Sequence, residues 1–187
     1  MRKDFGAKPM MYPMNVLIIA TYNEDGTPDA MNAAWGGIAD HDKIMLAIDK
    51  THKTAKNIVD RKAFTVSMAT ASQMVPSDYV GIVSGNDVPD KFARAGFHAL
   101  KSEKVDAPLI EELPMALECR LISFDPATEI LFGEIVNVCA DESILNAEGN
   151  IDPVKLDPII FDGSNRAYYR LGEKVGDAFR DGAALKK

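Results

Sequence analysis

The sequence predicts a mainly β domain, an antiparallel sheet closed or partly closed into a barrel, with a few short helices that plug or flank it. Three observations carry this. Six or seven short runs have strand composition and are punctuated by turn residues. Only two stretches, 54–61 and 72–96, carry helical spacing. An Asp-Gly turn joins the first two runs directly, as in a hairpin. Short antiparallel strands with few helices to cover their edges manage those edges by closure.

The elements follow in order. Asn15 to Tyr22 is rich in β-branched and aromatic residues, and Asn23-Glu24-Asp25-Gly26 turns it into a second extended run, Pro28 to Trp35. Gly36-Gly37 interrupts that run, and Asp40-His41-Asp42 turns the chain into Lys43 to Ile48, apolar enough to be covered on both faces. The period then changes. Ala55, Ile58 and Val59 form one apolar stripe on a short helix over 54–61. Ala63 to Met68 alternates as a strand, and 72–96 is helical with breaks at Pro76, Gly81, Gly85 and Pro89. Met115 to Ser123 and Glu129 to Ala140 are two more strands, and a last one falls near Ala167 to Leu171.

The chain of 187 residues reads as one domain, 1–187, with 28 acidic against 21 basic side chains and a net charge of −7. An acidic balance lacks the positive field that nucleic acid or an anionic membrane surface requires, so neither is an expected partner. Residues 141–165 carry six acidic residues against Lys155 alone and read as a mostly exposed loop excursion. The N-terminus has no apolar core of a secretory signal, and the two cysteines are too few for a disulfide scaffold. The cytoplasm is the expected compartment. Met10, Met11 and Met14 form an N-terminal arm, either packed on a partner or free.

Three stretches offer chemistry. Between residues 50 and 62 lie five Lys or Arg residues against Asp60 alone, at a strand end where a helix begins. Free N–H groups, the helix dipole, the Thr51 and Thr54 hydroxyls and Lys53 suit a phosphate. A threonine-capped helix with solvated lysines is the plainer alternative. Met31-Asn32-Ala33-Ala34-Trp35 sets small residues beside the single Trp, which suits either a flat aromatic ligand or an ordinary strand end. In Tyr79 to Phe92, Gly81, Ser84 and Gly85 permit backbone to approach a ligand, with Asp87 capping a helix that holds Lys91; a plain connecting loop also fits. No metal-ligand spacing, nucleophile elbow, Walker loop or GxGxxG is present, so no metal site is expected.

The order of strand, Asp-Gly hairpin, Met31-Asn-Ala-Ala-Trp35, strand, Lys50-Thr-His-Lys-Thr-Ala-Lys-Asn-Ile58 and Phe64-Thr-Val-Ser67 resembles the flavin reductase-like, FMN-binding split-barrel family, flavoredoxin type. Asp78 to Phe92, Leu131-Phe-Gly-Glu-Ile135 and Tyr168-Tyr-Arg-Leu-Gly172 extend the likeness to roughly residues 12–175. The resemblance implies a Greek-key split barrel, a homodimer, and FMN bound non-covalently near the interface. Carried over by position, Asn32, Ala33, Ala34 and Trp35 would line the flavin ring. Thr51, His52, Lys53 and Thr54 would hold the phosphate. Ser84, Gly85 and Lys91 would sit near the ring or ribityl chain, with Tyr168 approaching from the last strand. Thr128-Glu129 and Cys139 stand where relatives commonly carry histidines.

The implied activity is an NAD(P)H-dependent flavin reductase, with NADH or NADPH as co-substrate and no catalytic side chain, because the flavin carries the hydride chemistry. An FMN electron carrier reduced by a redox protein partner is the alternative, and a flavin-free binding protein on the same barrel a third.

Overall fold

The computed structural model describes residues 1–186. The strands are β1 (Met14–Asn15), β2 (Leu17–Tyr22), β3 (Pro28–Ala33), β4 (Gly36–Asp40), β5 (Lys43–Ala47), β6 (Ala63–Met68), β7 (Ala99–Lys101), β8 (Pro108–Ile110), β9 (Met115–Asp125), β10 (Ile130–Ala140), β11 (Ile159–Asp162) and β12 (Ala167–Arg170). The α-helices are α1 (Lys53–Arg61), α2 (Met74–Ile82), α3 (Lys91–Arg94) and α4 (Pro153–Leu156).

Seven strands form one antiparallel sheet in the order β3-β2-β6-β9-β10-β5-β4. Consecutive strands β3 and β4 therefore occupy opposite edges, joined only by Ala34 and Trp35. Laid flat, six strand spacings would separate those edges by about 29 Å. The link from Ala33 to Gly36 spans at most about 11 Å. The sheet must curl until its edges meet, which makes a half-barrel.

Helix α1 plugs that barrel. Its Ala55 and Ile58 are buried with Leu17, Ile19, Ile44, Leu46, Phe64, Val66 and Leu131. Phe64 lies against the backbone of Gly133, where any Cβ would collide with the ring. A second core covers the outer face of β2 and β3: Val16, Ile18, Ala20 and Ala30 meet Val80, Phe92, Phe97, Ile110 and Ile159. A small sheet, β1-β11-β12, stands beside it.

Four expectations are corrected. Gly36-Gly37 does not interrupt the strand pattern but opens β4, because a Cβ at Gly36 would sit 2.5 Å from Leu46 and 2.9 Å from the Met45 carbonyl. Glycine there permits close strand approach. The runs covered on both faces are β2 and β6, whereas β5 alternates. The 141–165 excursion is not simply exposed: Ile144, Leu156 and Ile159 are buried, and β11 is the centre of the small sheet. Asp87 does not cap α3; Asp90 occupies the N-cap position and makes no side-chain cap bond. The short strands β7 and β8 lie in a stretch with no strand-like alternation.

Candidate functional site

Two features flank edge strand β3. The first is a cleft of about 1030 Å³. Its inner wall comes from Asn32, Ala34 and Trp35 together with Asp78, Gly81 and Ile82 of α2. Its outer wall comes from the N-terminal arm, through Phe5, Lys8, Pro9, Met10 and Met14, and from Phe161, Gly163, Ser164 and Arg166 around the β11–β12 turn, while Tyr168 reaches across to the inner wall.

The inner wall is tightly fixed. Asn32 Nδ2 donates to the Ser77 carbonyl at 3.2 Å. Gly81 lies so near that a Cβ would stand 2.8 Å from Asn32 Cβ. Tyr168 donates its hydroxyl to Asp78 Oδ1 at 2.7 Å, and its ring meets Phe161 at 5.8 Å between centroids. Burial first, then the Asp78 carboxylate, push the Tyr168 phenol up to about 12, so it keeps its proton and donates this hydrogen bond at any physiological pH. Trp35 is 57% exposed at the mouth. Ala33, one residue before Ala34, points instead into the barrel core, as strand alternation requires.

The second feature is the start of α1. His52 is its N-cap without a side-chain cap bond, and no acidic residue occupies the first turn. The first helical bond runs from Lys56 N to the His52 carbonyl, leaving the Lys53, Thr54 and Ala55 N–H groups without helical acceptors. Thr51 is tied down, its N–H and hydroxyl both donating to Asp49 Oδ1 at 2.7 Å. The loop after α2 folds over this end: Asn86 Nδ2 donates to the Thr51 carbonyl at 3.1 Å, and Ser84 Oγ accepts the Asn86 N–H. A Cβ on Gly85 would meet Lys53 at 3.3 Å and Asp29 Oδ1 at 2.7 Å. Only glycine lets that loop approach.

Asp29 organises this end. It accepts from Thr54 Oγ1 at 2.6 Å and pairs with Lys91 Nζ at 3.6 Å, with both charged side chains about 3% exposed or less. Lys91 also donates to the Val80 and Val83 carbonyls at 3.2 and 3.1 Å, capping the C-terminal end of α2. Burial holds its ammonium below the ordinary lysine value, against the opposing pull of Asp29. Lys91 is thus a neutralised strut that does not line the cleft, and the Thr54 hydroxyl serves Asp29.

The structure therefore gathers Asn32, Ala34, Trp35 and Tyr168 at the cleft, and Thr51, His52, Lys53, Thr54, Ser84, Gly85 and Lys91 at the α1 start. Asp29 and Asn32 separate the two groups by about 10 Å along β3. Sequence reasoning missed Asp29, Asp78, Lys8 and Arg166. A lone carboxylate amid the apolar run after the Asp-Gly turn was a readable signal for Asp29. Arg166 and Lys8 carried none, because only the tertiary fold brings their segments together. His98, Glu111 and Glu112 also converge within 4.8 Å, but both Glu112 oxygens already accept from His98. Burial pushes the Cys119 thiol up to about 12, and Cys139 donates weakly to the Ala116 carbonyl, so neither is a nucleophile.

A barrel split at β3 and β4, plugged by an uncapped cationic helix and flanked by an apolar cleft, defines the split-barrel class. The chain belongs to the flavin reductase like domain family, whose model matches residues 10–166. The flavoredoxin of Desulfovibrio vulgaris (Miyazaki F) is 39% identical, with a TM-score of 0.93 over 97% of this chain and 100% of that one. A flavoredoxin from Methanosarcina acetivorans is 25% identical, with a TM-score of 0.85 over 99% and 98%. An uncharacterized protein of Bacillus subtilis (strain 168), YdfE, is 26% identical over 95% of this chain and 93% of its own length.

Proposed function

We propose that this protein binds FMN non-covalently, with the flavin ring in the cleft and the phosphate at the start of α1, and that NADH or NADPH reduces it there. The carrying observation is the pairing, along one strand, of an apolar cleft with a helix start that offers free N–H groups, Lys53 and no acidic residue in its first turn. A phosphate suits that donor set, and a flat ring suits a cleft walled by Trp35, Ile82 and Tyr168. The residues present fit the group.

When bound, FMN supplies a ring that accepts a hydride and passes electrons onward. This chain's residues bind and orient. Asn32 and the Tyr168–Asp78 pair set the inner wall, Trp35 guards the mouth, and Lys53 with the α1 amides neutralises the phosphate. Lys91, paired with Asp29, braces the α1 start and α2 and adds little net charge to the ring's surroundings. Hydride transfer at the ring needs no protein acid or base, consistent with a cleft that has none poised for proton transfer.

A homodimer completes this reading. Trp35 and Ile82 of the cleft are 57% and 74% exposed, as is Ile38 of β4 at 68%, and a second copy would cover them. Sedimentation is expected at about twice the chain mass of 20.4 kDa. The likeness to two flavoredoxins favours a second reading, an FMN electron carrier fed by a redox protein. Free thiols at Cys119 and Cys139 suit the cytoplasm under either. Among the described residues, no helix is long and apolar enough to cross a membrane.

The test is a visible spectrum of the purified protein, followed by anaerobic addition of NADH and NADPH. Bleaching of bound flavin by either supports the reductase. No bleaching by both, with bleaching by reduced ferredoxin, selects the carrier. A protein that flavin cannot load selects the flavin-free binding protein.

A further inference from the structure

The C-terminal segment, Gly172 to Lys186, stands apart from everything the site uses. It lies beyond the stretch that the family model matches, which ends at residue 166. All of it is exposed. Among the described residues, every hydrogen bond and ion pair its members make stays within the segment. Lys174 and Arg180 pair with Asp177, and Asp181 Oδ2 accepts the Asp177 N–H at 2.8 Å. A short 3₁₀ turn then covers Asp181–Leu185.

Its composition is not that of a solvated end. Glu173, Asp177 and Asp181 are balanced by Lys174, Arg180 and Lys186, and Val175, Phe179 and Leu185 are large apolar residues. Segments that stay unfolded are poor in such side chains and high in net charge. Yet Val175, Phe179 and Leu185 are 87–108% exposed. Phe179 also holds a left-handed backbone, at φ 61°. For a bulky residue that conformation is an outlier, and it persists where surrounding structure holds it. Among the described residues nothing encloses Phe179.

The same chain presents an apolar face that could enclose it. The second core covers the outer face of β2 and β3 only. On the other half of the sheet, Met45 of β5 stands opposite Phe132 of β10. Their neighbours Ile44, Leu46 and Leu131 point into the barrel, so Met45 and Phe132 face outward. Phe132 is 38% exposed, and Gly37 of β4, opposite Met45, leaves the ground beside them bare.

We propose that residues 172–186 form an exchange arm. Phe179 and its apolar neighbours seat on the Met45–Phe132 face of a second copy, whose own arm does the same in return. Two-fold symmetry lets one arm and one face serve twice, and exchange of an identical element is a low-cost route to a dimer. An arm of zero net charge suits an apolar face of the same chain, where a strongly charged partner would gain nothing. Residues 172–177 lie in neither helix nor strand and can span about 20 Å. That exceeds the radius of gyration of about 16 Å expected for a chain of 187 residues, so the arm can cross to a neighbour. The proposal rests on the homodimer of the reading above and names the segment that clasps it; it does not depend on the flavin.

The experiment is sedimentation equilibrium of the full chain, for the wild type and for the Val175→Ser, Phe179→Ser, Leu185→Ser triple variant. Because these side chains are exposed in the single chain, the variant should keep the wild-type circular dichroism spectrum. Its dimer dissociation constant is expected to rise at least tenfold, as loss of a buried aromatic anchor does at an interface. Photo-crosslinking locates the seat. Copies labelled with ¹⁵N, with Phe179 replaced by p-benzoylphenylalanine, are mixed with an excess of unlabelled wild type and irradiated. The labelled arm is expected to join an unlabelled peptide that contains Met45 or Phe132. Equal dissociation constants in the two proteins overturn the arm and leave the homodimer standing. Crosslinks that stay within the labelled copy overturn it by folding the arm back on its own barrel. Crosslinks to another face of the second copy overturn the seat, and a dimer that gives none makes the segment a free end. A wild type that sediments at 20.4 kDa sinks the homodimer itself, and this inference with it.

Discussion

The two walls of the cleft are built on opposite physical terms. The inner wall is backed by buried polar structure: behind it Asp29, Thr54 and Lys91 join β3, α1 and α3, and on it Asn32 meets α2 at a position where only glycine fits. The outer wall is an exposed arm and a turn, fastened at its edge by Tyr12 and Asp162. Preorganisation on the inner side favours a resident group whose binding geometry is set before it arrives. Exposure on the outer side favours exchange, which a co-substrate that must enter and leave requires. One cleft thereby combines a fixed socket with an open gate, and substitutions on each wall should produce different kinds of damage.

The largest effect is expected at Asp29. Asp29→Ala leaves the Lys91 ammonium buried without its counter-charge, a loss of about 3–5 kcal/mol in chemical denaturation. Adding Lys91→Met should restore much of it, since an apolar side chain of similar length needs no partner. A single variant that loses less than about 1 kcal/mol would show that Asp29 does not organise the buried structure behind the inner wall.

Thr54 and Lys53 are neighbours with different work. Thr54→Ala deletes a buried hydrogen bond to a carboxylate and should cost about 1.5–3 kcal/mol of stability in the flavin-free protein. Lys53→Ala should leave that stability within about 0.5 kcal/mol and weaken FMN binding roughly tenfold, through loss of a charge-assisted contact. Unchanged FMN affinity in Lys53→Ala would mean that the cationic stretch is only a solvated helix face.

Paired glycine substitutions compare the walls directly. Gly81→Ala puts a Cβ 2.8 Å from Asn32 Cβ and should push α2 off β3, costing about 1–3 kcal/mol and loosening FMN. Gly163→Ala on the outer wall meets nothing nearer than Phe161 at 3.5 Å and should stay within about 0.5 kcal/mol of wild type. Equal melting temperatures for the two variants would erase the distinction between the walls.

Most of the barrel was legible in the sequence because local signals and tertiary demand agree there. The Asp-Gly hairpin, the alternation of 63–68 and the apolar stripe on 54–61 each match an element in place. The legible part of the site is likewise local: Lys53 and the free amides follow from a helix start, and Asn32 and Trp35 from a strand end. What failed is where charge or glycine hides packing. The acid-rich stretch concealed Ile144, Leu156 and β11, and Gly36 read as a break when it is a close approach. The resemblance sets Lys91 near the ring or ribityl chain; its buried partner, Asp29, lies 62 residues away, out of reach of any local pattern. Arg166 and Lys8 line one cleft because β1 pairs with β11 and Tyr12 bonds to Asp162 across 150 residues of sequence.

That contact supplies the smallest expected effect and the finest test of the comparison. Tyr12→Phe keeps the ring and removes the hydroxyl that donates to Asp162 and Ser164. Because the arm contributes little to either core, global stability should barely change. Hydrogen exchange at residues 8–12 should instead accelerate about five- to tenfold, the range that loss of one ordinary hydrogen bond gives. Acid should mimic the substitution. The Tyr12 hydroxyl first, then Asn165 and the turn amides, hold the Asp162 carboxyl below its ordinary value of 3.8. A group depressed in the folded state contributes stability above its unfolded value and loses it as the pH falls through the folded one. The fastening should therefore be complete at neutral pH and should release the arm only below about pH 3.8, with Tyr12→Phe free of that transition. An arm that exchanges equally fast in both proteins at pH 7 would show that Tyr12 does not hold the outer wall, and that Lys8 reaches the cleft without a fixed support.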